Sequence, residues 1–259
     1  MSSTTLRIIA LALGAAGLAG QAQAAAITLT DGALAYQQNF DSLAKSGTSS
    51  SLPAGWSFLE TLGNANTSYA AGTGSDNAGN TYSFGSAGSS ERALGGLQSG
   101  NLLSVFGASF TNQASRSVAS VAIAYVGEQW RLGASGRNDR LNFQYSTNAS
   151  SLSTGTWTDV DALDFVSPIS TGSARALDGN LAANSRSLNS SLNGLNLAQG
   201  ATLWLRWNDF NASGADDGLA VDNFSLNATL APVPEPGSYA LLLAGLGVVG
   251  LVSRRRLGR

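Results

Sequence analysis

The sequence predicts an all-β protein, a jelly roll or β-sandwich, on three observations. Apolar and polar residues alternate at period two in several short runs, and clusters of Ser, Gly and Asn separate those runs. With 31 Gly in 259 residues and only 12% charged residues, the composition also offers little material for long amphipathic helices.

Taken in chain order, Trp56 and Phe58 mark one strand, and Val121, Ile123 and Tyr125 mark another. Leu141, Phe143 and Tyr145 share a face of a third. In a fourth, Leu203, Leu205 and Trp207 alternate with Thr202, Trp204 and Arg206. The segments 72–79, 85–90 and 146–155 are rich in turn formers and read as connections. On the order of ten to twelve short strands is the expected total for a sandwich of this length. Residues 25–231 contain no clear repeat and no internal boundary, and about 200 residues suffice to bury a core as one domain. Trp130, Trp157, Trp204 and Trp207 are expected in that core or at its rim; an exposed row of them would instead make a platform for stacking sugars.

Charge and the missing residue types exclude whole classes of function. Between residues 25 and 231 there are 15 acidic residues against eight Arg and the single Lys45, a body charge of −6. A body without a basic stripe is not built to hold nucleic acid, whose phosphates demand clustered Lys and Arg. The chain has no Cys and no His. It therefore has no disulfides, Ser-His-Asp triad, Cys nucleophile or His-ligated zinc, and burial alone must hold the body together. A glycosidase needs only two carboxylates, but the body's three glutamates, Glu60, Glu91 and Glu128, form no pair on one strand. The chain is expected not to be an enzyme.

The two ends carry addresses. Arg7, an apolar run from Ile8 to Leu18, and Ala22-Gln23-Ala24 form the three parts of a secretory signal in order, so residues 1–24 read as a signal peptide cleaved after Ala24. The far end has Val233-Pro234-Glu235-Pro236, an almost wholly apolar stretch from Tyr239 to Val252, and Arg254-Arg255-Arg256. Physically this is a stiff proline segment, a short transmembrane helix over 239–252 and a positive stop that stays cytoplasmic. On these parts, residues 232–256 resemble the PEP-CTERM sorting signal of Gram-negative bacteria. The resemblance implies recognition by an exosortase, processing near Pro234-Glu235-Pro236, and a host that makes exopolysaccharide. A plain C-terminal membrane anchor without processing is the alternative.

Within the body, Asn39 to Leu43, Gly127 to Arg131, Leu141 to Ser146 and Leu203 to Leu226 resemble a jelly-roll module of other PEP-CTERM proteins and of the lamin-tail-like group at the N-terminus of secreted bacterial nucleases. Gly218 to Ser225 also resembles the last strand of MAM-type jelly rolls. In those folds the first and last strands lie side by side, which would bring Asp41 near Asp222. The resemblance implies no nuclease site, because in those proteins catalysis belongs to a separate downstream domain and this chain has none of its histidines.

The most chemically suggestive stretch is Asp209 to Gly218. Asp209, Asn211 and Ser213 alternate before Gly214, as in the first half of a calcium loop, and Asp216 and Asp217 follow. The position where an EF-hand needs a bidentate Glu holds Ala220. Two readings stay open: a Ca²⁺ site on Asp209, Asn211, Ser213, Asp216 and Asp217, or a polar hairpin whose Asx side chains cap their own turns. No other cofactor is suggested.

The functional expectation is an exported envelope or extracellular-matrix protein, held at the inner membrane before processing and released to the surface afterwards. Its body would be a structural or adhesive module. The alternative is an exopolysaccharide-binding module acting through exposed aromatics, and a weaker one is a carboxylate-based glycosidase.

Overall fold

The computed structural model describes residues 25–233, together with Gly237, Leu242 and residues 244–246. The signal segment 1–24, the Pro234-Glu235-Pro236 element, Arg254 to Arg256 and most of the expected helix 239–252 lie outside the described residues. No helix among those described is long and apolar enough to cross a membrane.

The expected all-β sandwich is what forms. In chain order the strands are β1 (Ile27–Leu29), β2 (Ala35–Gln38), β3 (Thr48–Ser49), β4 (Trp56–Thr61), β5 (Tyr69–Gly72), β6 (Asn80–Phe84), β7 (Ala93–Leu97) and β8 (Leu103–Asn112). They continue with β9 (Val118–Leu132), β10 (Arg140–Ser146), β11 (Thr158–Asp159), β12 (Phe165–Val166), β13 (Arg175–Ala176), β14 (Ser185–Leu197), β15 (Thr202–Asp209) and β16 (Gly218–Leu230). A single 3₁₀ turn, Asp161–Leu163, interrupts them. The seven-stranded sheet runs β1-β8-β15-β10-β11, with β4 also beside β8 and β12 beside β10. The nine-stranded sheet runs β13-β9-β16-β7-β6-β5-β3, with β14 beside β9 and β2 beside β16. The first strand is thus not the neighbour of the last: β1 joins the other sheet, and β2 pairs with β16 through Gln38 and Phe224. Asp41, three residues beyond β2, still comes near enough to Asp222 to raise its pKa.

The alternation read from the sequence sets which side chains face inward. Leu141 and Phe143 of β10, Leu203, Leu205 and Trp207 of β15, and Val121, Ile123 and Tyr125 of β9 all enter one core between the sheets. Trp207 is its hub. Its ring stacks with Trp56 at 5.7 Å and Phe106 at 5.8 Å, and meets Phe143, Tyr125 and Phe224 edge-on at 5.1, 5.4 and 5.8 Å. Two polar atoms of these rings find partners, Trp56 Nε1 donating to Tyr36 at 3.0 Å and the Tyr125 hydroxyl to the Leu163 carbonyl, whereas Trp207 Nε1 is buried without one.

Each sheet also buries apolar groups on its outer face. On β9, where residues 121, 123 and 125 point inward, Trp130 lies on the other side and packs with Tyr82, Phe84, Leu97 and Ala220. The chain crosses over it so closely at Gly179 that an added Cβ would lie 2.4 Å from the indole nitrogen. On the seven-stranded sheet, Trp204 packs with Val105, Ala149 and Leu152 beneath the 147–157 connection.

The inward alternation of β16 slips by one residue. Leu219 and Val221 face the core, and so do Phe224 and Leu226, because a bulge separates Asp222 from Ser225 in the pairing with β9. Asn223 absorbs the bulge with φ of 49°, a left-handed conformation that Asn tolerates better than most residues.

Removing the hub should therefore be severe. Trp207→Ala is expected to cost about 3–5 kcal/mol in urea unfolding, whereas Trp157→Ala, at a half-exposed ring outside the core, should cost under about 1 kcal/mol. Equal losses would contradict the hub.

Candidate functional site

The Asp209–Gly218 connection joins β15 to β16 at one end of the sandwich. The structure divides the five expected ligands into two groups: Asp209, Asp216 and Asp217 are buried, while Asn211 and Ser213 are exposed. The three buried acids do not bring their oxygens into one metal-sized group among the described residues. Their companion is a residue pair from the β9–β10 connection, Arg137 and Asp139.

Asp217 is held on every side. Its Oδ1 accepts from the Gly133 amide and its Oδ2 from Gln129 Nε2, both at 2.8 Å, and its own amide donates to Asp139 Oδ2 at 2.8 Å. Arg137 Nη1 lies 3.3 Å from Asp139 Oδ2 and 3.5 Å from Asp217 Oδ1. The same guanidinium donates to the carbonyls of Ser213, at 3.0 Å, and Ala215. Two carboxylates and two loop carbonyls thus surround one cation, and that cation is a side chain. A planar guanidinium with five donors suits such a nest, because it neutralises charge and satisfies carbonyls at once.

The charge balance remains strained. Burial raises the pKa of Asp139, against the Asp217 amide and Arg137, which lower it. Burial likewise pushes Asp216 and Asp217 up to about 6. Asp209 is 4% exposed and neither of its oxygens accepts a hydrogen bond. Burial first, then the nearby Asp139 and Asp216, hold its carboxyl protonated well above the ordinary carboxylate range. Sequence reasoning found the acids of this loop and missed Arg137 and Asp139, which lie over 70 residues earlier. The Arg137-Asn138-Asp139-Arg140 run, which leads from the β9–β10 connection into β10, was the available signal.

The three glutamates also have places. Glu60 is consumed by structure: its Oε2 accepts from the Asn66 amide and Nδ2, and its Oε1 from the Thr81 amide at 2.7 Å. Glu128 is buried beneath Trp130, which donates to it at 2.9 Å, and Glu91 is half-buried ahead of β7. Elsewhere, Gln37, Gln38, Asn39, Asn223, Phe224 and Ser225 line a polar groove of about 480 Å³.

Of the tryptophans, Trp56, Trp130, Trp204 and Trp207 are each at most 3% exposed, so none of them can stack on a sugar. Only the Trp157 ring is partly open, and Arg206 already lies over it at 3.9 Å.

Residues 232–256 match the family model of the PEP-CTERM protein-sorting motif. The motif indicates an exported chain processed at the membrane and implies recognition by an exosortase. No curated protein matches the sequence. Among solved structures, the chain is similar to the module TmCBM61 solved with β-1,4-galactotriose, at 10% identity and a TM-score of 0.31, over 55% of this chain and 74% of that one. It is also similar to the CBM22-1–GH10 modules of xylanase 10B from Clostridium thermocellum solved with xylohexaose, at 11% identity and a TM-score of 0.31. That match covers 77% of this chain and 28% of the xylanase chain. At such distance neither likeness bears on function.

Arg137→Gln should cost about 3–5 kcal/mol near pH 8, since it leaves buried carboxylates without their cation. Asp216 and Asp217 titrate near 6 in the fold against 3.8 when free, so the stability they contribute is fully present below about pH 4 and is lost as pH rises through 6. The variant's deficit should accordingly shrink on acidification from pH 8 to pH 5. Asp209→Asn should cost less than Arg137→Gln, because burial and the neighbouring acids already disfavour the charged form of the carboxyl it replaces. Denaturant melts across this range check both, and a pH-independent deficit in Arg137→Gln would contradict the account.

Proposed function

We propose that this chain is an exported envelope or extracellular-matrix protein whose β-sandwich body serves as a structural or adhesive module and performs no catalysis. The observation that carries the reading is the sorting motif at residues 232–256, standing directly behind a body that ends at Ala231. The proposed order of events is export with loss of residues 1–24, a transient stay at the inner membrane through helix 239–252 with Arg254 to Arg256 inside, and processing near Pro234-Glu235-Pro236. Surface or matrix deposition follows.

The interior supports a mechanical rather than a chemical role. Its large aromatics are spent on the core, and Glu60 is spent on loop and strand amides. The resemblance to nuclease lamin-tail-like modules is not upheld: the solved structures found similar are β-sandwich carbohydrate-binding modules, not lamin-tail-like ones.

One observation favours a second reading, binding of exopolysaccharide. The groove of about 480 Å³ is lined by Gln37, Gln38, Asn39 and Asn223, whose amides both donate and accept as sugar hydroxyls require. It has no open aromatic floor, so any affinity there would be weak and hydrogen-bonded.

Intact-mass measurement on protein from the envelope of the native host tests the first reading. The mature chain is expected to begin near Ala25 and end near residue 236. A mature C-terminus at Arg259 would overturn processing and leave a plain anchor. A glycan array tests the second reading: binding that falls at least tenfold in Gln37→Ala and Gln38→Ala would establish the groove, and no binding to any polymer would remove it.

A further inference from the structure

The outer face of the nine-stranded sheet carries another group of acids. In the pairing of β9 with β16, Ala220 stands opposite Glu128 and Asp222 opposite Val126, which sets the two acids diagonally on the face away from the core. Glu91, two residues ahead of β7, reaches them from the neighbouring strand. One carboxylate oxygen from each of the three lies within 4.8 Å of the others. Glu128 and Asp222 are 2% and 3% exposed.

Their hydrogen bonding follows one rule. Each carboxylate has one oxygen fixed by a side-chain donor: Trp130 Nε1 to Glu128 Oε2 at 2.9 Å, Asn223 Nδ2 to Asp222 Oδ2 at 2.8 Å, and Asn180 Nδ2 to Glu91 Oε2. The second oxygens of Glu91 and Asp222 are buried and accept nothing. No Lys or Arg forms an ion pair with any of the three among the described residues. Arg92, the neighbour of Glu91 in sequence, donates to Ser83 and to the Gly72 carbonyl. Three carboxylates gathered this closely, two of them almost wholly buried and two with an oxygen that accepts nothing, need either protons or a cation between them.

We propose that Glu91, Glu128 and Asp222 form a Ca²⁺ site that clamps β7, β9 and β16 together on the outer face of the sheet. Oxygens that all lie within 4.8 Å of one another can share a single ion at Ca–O distances of about 2.4 Å. An all-carboxylate set suits a hard cation better than zinc, which favours nitrogen and sulfur ligands. The fixed second oxygens are what orients metal-binding carboxylates, since an outer donor sets the direction of the free lone pairs. Through Asn180 the site also gathers in the 177–184 segment that covers Trp130. Without the ion, burial pushes Glu128 up to about 8 and Asp222 up to about 7, so protons fill the same need near neutrality.

The test is a thermal melt of the full chain at pH 8, stripped with chelator and then supplied with Ca²⁺. At a hundredfold excess over Kd the Tm is expected to rise on the order of 5–10 °C. Glu128→Gln and Asp222→Asn should abolish that rise, and in chelator both should melt no lower than the wild type, because the repulsion is gone. Asp209→Asn should keep the rise. Tb³⁺ in place of Ca²⁺ should show emission sensitised by Trp130, whose indole hydrogen-bonds a ligand; this reading needs no variant and holds if one fails to fold. The proposal is overturned by a wild-type melt indifferent to Ca²⁺, by a rise that survives both substitutions, by a rise lost only in Asp209→Asn, or by Tb³⁺ that binds without sensitised emission.

Discussion

The indole of Trp207 lies where the two sheets meet and touches aromatic rings from both. Trp56, Phe106 and Phe143 reach it from its own sheet, and Tyr125 and Phe224 reach it from the other. In a chain without cysteine, this burial takes the place that cross-links hold in many exported domains. Sheet register follows from it. The observed pairing of β15 with β8 and β10 sends Leu203, Leu205 and Trp207 inward together, and a slip of one residue would send all three to the opposite face.

Outside that core, each sheet recruits loops to cover a smaller apolar patch, and the covers bring charge indoors. The β15–β16 connection closes one end of the sandwich and buries three carboxyls with it, and Arg137 offsets their charge from a different loop. The 177–184 segment closes over Trp130 and buries Glu128, with Asp222 beside it; no cationic side chain answers there. Arg92 shows that the fold can also bury a cation without a direct ion pair among the described residues: it is 2% exposed and spends its donors on Ser83 and the Gly72 carbonyl. The two acidic groups thus differ in how their charge is met, by a guanidinium in one and by protons or an ion in the other.

What the sequence revealed tracks how one-sided each strand is. β9, β10 and β15 were legible because one face is core and the other is polar or loop-covered, so alternation survives in the residues. β14, Ser185–Leu197, was not legible: its largely Ser and Asn residues gain their place by backbone pairing along β9, not by burial. β7 was hidden by Gly95 and Gly96; at Gly95 an added Cβ would sit 2.1 Å from the Leu219 carbonyl, so packing there excludes the side chains that advertise a strand. The acids of 209–217 stood out by spacing, but their counter-charge came from Arg137, and no local pattern links residues that far apart. Glu91 and Glu128 read as isolated because the contact between β7, β9 and β16 is purely tertiary.

The place of β16 has a mechanical consequence. The chain leaves the body at Ala231, where Arg116 grips the last carbonyl at 2.6 Å and the Ala231 amide donates to Ser117. A pull transmitted from there acts along the axis of a 13-residue strand that lies inside its sheet, bonded to β9 on one side and to β7 and β2 on the other. Such a load shears many ladder bonds at once instead of peeling them singly, so resistance adds along the strand's length. The bulge at Asn223 interrupts that ladder midway, so the strand holds its sheet through two runs of pairing, Leu219 to Asp222 and Ser225 to Thr229.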